Sequence, residues 1–241
     1  MTQSPGITLT GAANIGGTPL FADLTLSIAP GQWTCLLGPS GVGKSSVLRL
    51  IAGLADEIEF TGHISATDNA LLAGRIGYMA QSDLLLPWAT LTANVAIGAR
   101  LRGESTDTDR ANEMLERVGL ADHRTKKPGA LSGGQRQRVA LARTLMEDRP
   151  IILLDEPFSA LDARTRAEMQ ELAANLLRER TVLLVTHDPA EASRLGHSII
   201  VMDESGLTQA QTPPSLPVRA MDNPERQACE ITLYQQLRGQ S

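Results

Sequence analysis

Short apolar runs rich in β-branched residues alternate along the chain with helical segments, the pattern of a mostly parallel sheet covered by helices. Trp33 to Leu37 runs directly into a glycine-rich loop, and Ser45 to Leu54 follows with helical character. Ile151 to Leu154 and Thr181 to Val185 read as buried strands and Ile199 to Met202 as another, with a short helix over Pro189 to Leu195 between the last two. Across Arg164 to Glu179, Met169, Leu172, Ala173 and Leu176 recur on one face, which predicts a helix lying between strands and packing on the sheet. The first 30 residues and roughly residues 56 to 68 carry turn residues and looser alternation, predicting an antiparallel layer at one side of the parallel core.

From about Asp83 to Asp148 the pattern is helical with no strand, so an inserted helical subdomain is expected there. After Gly206 come a Pro-rich turn, Thr212 to Pro217, and a mostly polar segment too short for another domain. The expected organisation is one domain, with a catalytic core of residues 1–82 and 149–215, a helical subdomain of residues 83–148 and a C-terminal tail of residues 216–241. No internal repeat is visible.

A chain of 241 residues can bury a sizeable core. Its formal net charge of -5 argues against a sequence-independent nucleic-acid binder, which needs a basic face, although Arg136, Arg138 and Arg143 form a local basic cluster. The apolar runs are strand-sized, far short of the roughly 20 residues that span a bilayer. Residues 1 to 20 lack the basic start and continuous apolar stretch of a secretory signal, and Cys35 and Cys229 lie too far apart to suggest a disulfide framework. A cytoplasmic protein is expected.

Three motifs carry chemistry. Gly38-Pro39-Ser40-Gly41-Val42-Gly43-Lys44-Ser45, followed by Ser46, matches the phosphate loop in full. Its glycines let several N–H groups point at phosphates while the next helix presents its positive end. Lys44 is expected to reach the β- and γ-phosphates and Ser45 to ligate Mg²⁺. The alternative, a glycine-rich turn that happens to carry a lysine, is disfavoured by the strand before it and the helix after it. Ile151 to Leu154 then delivers Asp155 and Glu156 to the carboxyl end of a buried strand, where α/β sheets bind ligands. Asp155 would hold Mg²⁺, through water, and Glu156 would polarise the attacking water. Thirdly, Leu131-Ser132-Gly133-Gly134-Gln135 is a capping box before an apolar-periodic run, and capping alone requires neither glycine nor the leucine.

In this order the motifs resemble the ATP-hydrolysing subunit of ABC transporters, over roughly residues 7 to 215. The resemblance implies a P-loop core with a mostly parallel sheet, an antiparallel β layer and a helical insertion. It implies that ATP with Mg²⁺ is bound and that Ser132, Gly134 and Gln135 serve the nucleotide of a second copy in a head-to-tail dimer. Gln81 matches the family glutamine that touches Mg²⁺ and water, His187 the switch histidine at the γ-phosphate, and Asp162 the loop acid that crosses the dimer interface. Leu84-Leu-Leu-Pro-Trp88 resembles importers of the nitrate, sulfonate and taurine type and of thiamine-pyrimidine precursors, whose corresponding region receives a helix from the membrane subunit. The implied partners are therefore transmembrane permease subunits and, indirectly, a solute-binding protein at the inner, cytoplasmic face of the membrane, with no nucleic acid. A soluble mechanical ATPase acting on nucleic acid or ribosomes is the alternative, together with an exporter subunit. A chain of 241 residues with one ATPase domain disfavours the soluble machines, and the importer-like loop favours import over export.

One departure from the family stands out. An aromatic residue usually stacks on adenine near the N-terminus, but residues 1 to 20 contain none, and Ile15 sits about where the ring is expected. Nucleotide affinity and base selectivity are therefore expected to be lower than in a typical member, and Ile15→Tyr should tighten nucleotide binding by up to roughly the 1–3 kcal/mol that a base gains from a stacking partner. Titration with both nucleotides measures it, and unchanged affinities would remove Ile15 from the base site.

Overall fold

The structure is a computed structural model that describes residues 4–238. In chain order its elements are β1 (Ile7–Ile15), β2 (Thr18–Ile28), β3 (Trp33–Leu37), α1 (Lys44–Ala52), β4 (Ile58–Ala66) and β5 (Ile76–Met79). Four helices follow: α2 (Leu91–Val95), α3 (Ile97–Leu101), α4 (Thr108–Arg117) and α5 (Gly133–Met146). The remainder comprises β6 (Ile151–Asp155), α6 (Ala163–Leu176), β7 (Thr181–Thr186), α7 (Pro189–Leu195), β8 (Ser198–Asp203), β9 (Gly206–Ala210) and α8 (Pro224–Arg238).

The chain divides into two compact units. The first runs up to Ile76 and takes in Pro150–Asp155 and the chain from Arg178 onward; the second comprises Gly77–Arg149 and Glu156–Leu177. In the first unit the expected antiparallel layer is a three-stranded sheet of order β2-β1-β4. Its hairpin closes through Gly16 and Gly17, at φ 53° and 78°, with Ile15 opposite Thr18. Positive φ at both central residues gives a turn whose twist matches that of the strands, which is why two glycines stand there.

The other sheet has the order β5-β6-β7-β3-β8-β9, with β5 at its edge leading out of the first unit after Ile76. Every residue of β3, β6 and β7 is buried. Covered on both faces, such strands read as continuous apolar runs rather than alternation. They pair in parallel, and β9 returns antiparallel beside β8.

The polar C-terminal segment is more ordered than its composition suggests. Its 15-residue helix α8 packs on α7, and Arg219 anchors the approach to it by donating to the carbonyls of Ser193, Gly196, Pro213 and Ser215. Beneath this region Cys35 is fully buried, and burial pushes its thiol well above the ordinary range. Partial burial raises Cys229 as well.

The second unit has its own core of Leu91, Val95, Ala111, Leu115, Leu120, Val139 and Ala142, drawn from α2, α4 and α5 and the turns beside them. Helix α6 groups with this unit, where it meets α5 and turns Leu172 toward that core. Asn94 is fully buried and organises the preceding turn: its amide donates to the carbonyls of Leu86, Ala89 and Thr90 while its Oδ1 accepts from Leu86 N–H at 2.7 Å. Among the described residues no helix is long and apolar enough to cross a membrane.

Candidate active site

In the first unit the phosphate loop begins where β3 stops. A Cβ on Gly38 would lie 2.3 Å from the Met202 carbonyl oxygen, so only glycine lets the loop pass the end of β8. Gly43, at φ 105°, then caps α1 from a left-handed conformation with no side-chain acceptor, leaving the helix start without an internal cap. Lys44, only 5% exposed, donates from Nζ to the carbonyls of Gly38 and Pro39 at 2.8 and 2.7 Å. Pro39, Ser40 and Gly41 form the exposed rim of the loop, while Val42, Ser45 and Ser46 are half-buried.

Ser45 Oγ donates to Asp155 Oδ1 at 3.0 Å. This pair fits Mg²⁺, since a hydroxyl and a carboxylate are the hard oxygen donors the ion prefers: Ser45 would ligate it and Asp155 would hold it through water. No cluster of three or more His, Cys, Asp or Glu suited to a metal occurs among the described residues.

At the end of β7 the chain turns through Thr186, His187 and Asp188. The buried Thr186 hydroxyl donates to Glu191 Oε2 at 2.7 Å and accepts from Asp188 N–H at 3.0 Å, and Asp188 in turn caps α7 through Ala190 N–H. This turn leaves His187 exposed. His187 was legible in the sequence, but the Thr186–Glu191 bond that shapes its turn was not.

In the second unit Glu156 has φ 47°, a left-handed conformation uncommon outside glycine, and such outliers cluster at functional sites. Its Oε2 accepts from the Gln81 amide at 3.3 Å, and its carbonyl accepts from the Ser159 hydroxyl at 3.0 Å. Gln81 follows β5 and is exposed. The capping box is present in both directions at the start of α5: Gln135 N–H reaches Ser132 Oγ at 3.3 Å, and Ser132 N–H reaches Gln135 Oε1 at 3.0 Å. A Cβ on Gly134 would come within 3.0 Å of Leu161 Cδ2, so the second glycine also admits the loop that precedes α6. Asp162 caps α6 by accepting from Thr165 N–H at 3.0 Å, and that hydrogen bond holds its carboxyl below the usual carboxylate range. Ile15 lies at the hairpin tip, 37% exposed.

A buried parallel sheet whose strand β3 opens into a complete phosphate loop, with a serine–aspartate pair beneath it, defines a P-loop nucleoside triphosphatase. The sequence profile of ABC transporters matches residues 21–159, and the chain belongs to the ABC transporter family, as one of its ATP-hydrolysing subunits. It is 45% identical over 224 residues to an uncharacterised ABC transporter ATP-binding protein of Haemophilus influenzae, covering 92% of each chain. It is also 45% identical over 194 residues to the aliphatic sulfonates import ATP-binding protein SsuB 1 of Rhodococcus jostii, covering 80% of this chain and 76% of that one. Among solved structures it resembles a dimeric ATP-binding cassette in a post-hydrolysis state bound to ADP and Pi. That match has a TM-score of 0.73 and 29% identity, covering 89% of this chain and all of the other.

Thr186→Val removes a hydroxyl that serves one buried acceptor and one backbone donor. It is expected to destabilise the protein by about 1–3 kcal/mol, whereas Thr186→Ser should stay close to the unsubstituted protein. Denaturant unfolding distinguishes them, and a loss confined to Thr186→Ser would mean that the methyl group rather than the hydroxyl matters.

Proposed function

We propose that the chain energises import of a small solute, an aliphatic sulfonate or a relative of it, by ATP-driven closure of a pair of its copies on membrane subunits. The observation that carries this reading is the Ser45–Asp155 pair beneath a complete phosphate loop. The identity with a sulfonate-import relative supplies the solute class. Cargo of the nitrate, taurine or pyrimidine-precursor type belongs to the same reading.

In the first unit, the loop N–H groups from Gly38 to Ser46 and the Lys44 ammonium bind the phosphates. Ser45 and, through water, Asp155 hold Mg²⁺, with Gln81 as a further oxygen donor. When bound, the ion neutralises charge on the phosphate oxygens. His187 donates to the γ-phosphate from the end of β7. In the second unit, Glu156 accepts the proton of the attacking water, and the Gln81 amide orients its carboxylate. Ser132, Gly134 and Gln135 offer the second copy's nucleotide a capped helix start, and Asp162 stands at the same interface.

Leu84 and Trp88, 64% and 71% exposed, give the membrane subunits an apolar place to rest. A solute-binding protein acts indirectly through those subunits, and the chain works as a peripheral protein on the cytoplasmic face of the inner membrane, with no part for nucleic acid.

Glu156→Gln is expected to cut hydrolysis by about 10²- to 10⁴-fold, the usual worth of a positioned general base, and to accumulate an ATP-bound dimer on size exclusion. A variant that stays monomeric with ATP and hydrolyses normally would sink both the dimer and the base assignment. A gentle detergent pull-down from native cells should bring membrane subunits, a solute-binding protein and its bound solute. Ribosomes or nucleic acid in their place would move the ATPase away from the membrane.

A further inference from the structure

Segment 81–90 has almost no secondary structure of its own, yet it is held on both sides within the second unit. Asn94 organises its later half, as described above. Its earlier half is tied to α5 by four hydrogen bonds. Arg136 Nε donates to Asp83 Oδ2 at 2.9 Å and Gln137 Nε2 to the Gln81 carbonyl at 3.2 Å. The Arg143 guanidinium forks across two successive carbonyls, reaching Leu84 O at 2.8 Å and Asp83 O at 2.7 Å. Arg136 and Arg143 stand seven residues apart, on one face of the helix.

The fork has consequences at both ends. Leu84 has φ 47°, a strained backbone for a leucine, so the two carbonyls diverge from an extended path at the place where Arg143 meets them. Beyond them the segment presents Leu84 and Trp88 to solvent. Before them lies Gln81, whose amide contacts Glu156. At the start of the same α5 stands the Ser132–Gln135 capping box. A planar five-donor guanidinium can hold two carbonyls at once in fixed geometry; an ammonium at the same place is a single point.

We propose that Arg143 is a positioning residue that makes the Leu84–Trp88 surface, the Gln81 backbone and the Ser132–Gln135 turn move as one body. Nucleotide engaged at the turn is then felt at Trp88, and load on Trp88 is felt at Gln81. The inference rests on the proposed function for the nature of that nucleotide.

The chain has two tryptophans, so Trp33→Phe leaves Trp88 as the sole indole reporter. In that background ATP should change Trp88 emission saturably. Adding Arg143→Met should abolish most of that change and lower kcat roughly 3- to 30-fold with KM nearly unmoved, the span that residues along a coupling network command and the signature of an interaction made in the transition state. Arg143→Lys should not restore either quantity, and it serves as the test if Arg143→Met does not fold. A purely structural role would lower the unfolding midpoint but leave the emission response and kcat of the folded protein intact, and that result overturns the proposal. So does a Trp88 that stays silent to ATP in a protein that hydrolyses it. Absence of hydrolysis from both Trp33→Phe and the unsubstituted protein would instead overturn the ATPase reading itself.

Discussion

Parallel hydrogen bonding through β6, β7 and β3 decides where chemistry can stand in the first unit. The ladder sets Leu37 opposite Thr186 and Asp155 opposite Val185, so the three strands run out within about one residue of each other. Because all three are buried along their whole length, none can hold a reactive polar group at its centre without the cost of an unsatisfied interior charge. Polar function is displaced to the carboxyl ends, where the phosphate loop, Asp155 and the Thr186–Asp188 turn emerge side by side. A slip of a single residue in any strand would reverse the faces its side chains occupy and move its last residue by roughly 3.3 Å, more than a hydrogen bond tolerates. The site thus inherits its precision from backbone pairing rather than from contacts among the functional side chains.

The second unit solves a different problem. Its helices share an apolar core, but the turn between β5 and α2 contributes little to it beyond Leu85. Order there comes from side-chain amides and guanidinium groups that reach backbone carbonyls, with Asn94 on one side and α5 on the other. Such a segment is firmly placed but not deeply packed.

How much of this was legible in the sequence follows from the range of the forces involved. The strands β3, β6 and β7 announced themselves because burial on two faces leaves uninterrupted apolar runs, and the phosphate loop and capping box are local patterns with local causes. Helix α6 was visible as a helix from Met169, Leu172, Ala173 and Leu176, yet a stripe says only that a face is covered and not by what; of the four, Leu172 turns to the second-unit core. Helix α8 was read as a tail because it buries only Arg226 and Leu233 and so shows no apolar period. The Arg143 and Asn94 bonds end on backbone carbonyls and one backbone N–H, groups of the main chain, and no choice of side chain at 83, 84, 86, 89 or 90 could have signalled them.

The two cysteines have a practical side. Thiol reagents attack the thiolate, and both Cys35 and Cys229 are held above their ordinary ionisation range by burial, Cys35 completely so. Cys35 is therefore a quiet background for covalent labelling, whereas the half-buried Cys229 is the native thiol to replace first. A single cysteine introduced at an exposed position such as Leu71, 85% open to solvent, would then carry a spectroscopic probe or a tether to a surface without Cys35 having to be removed.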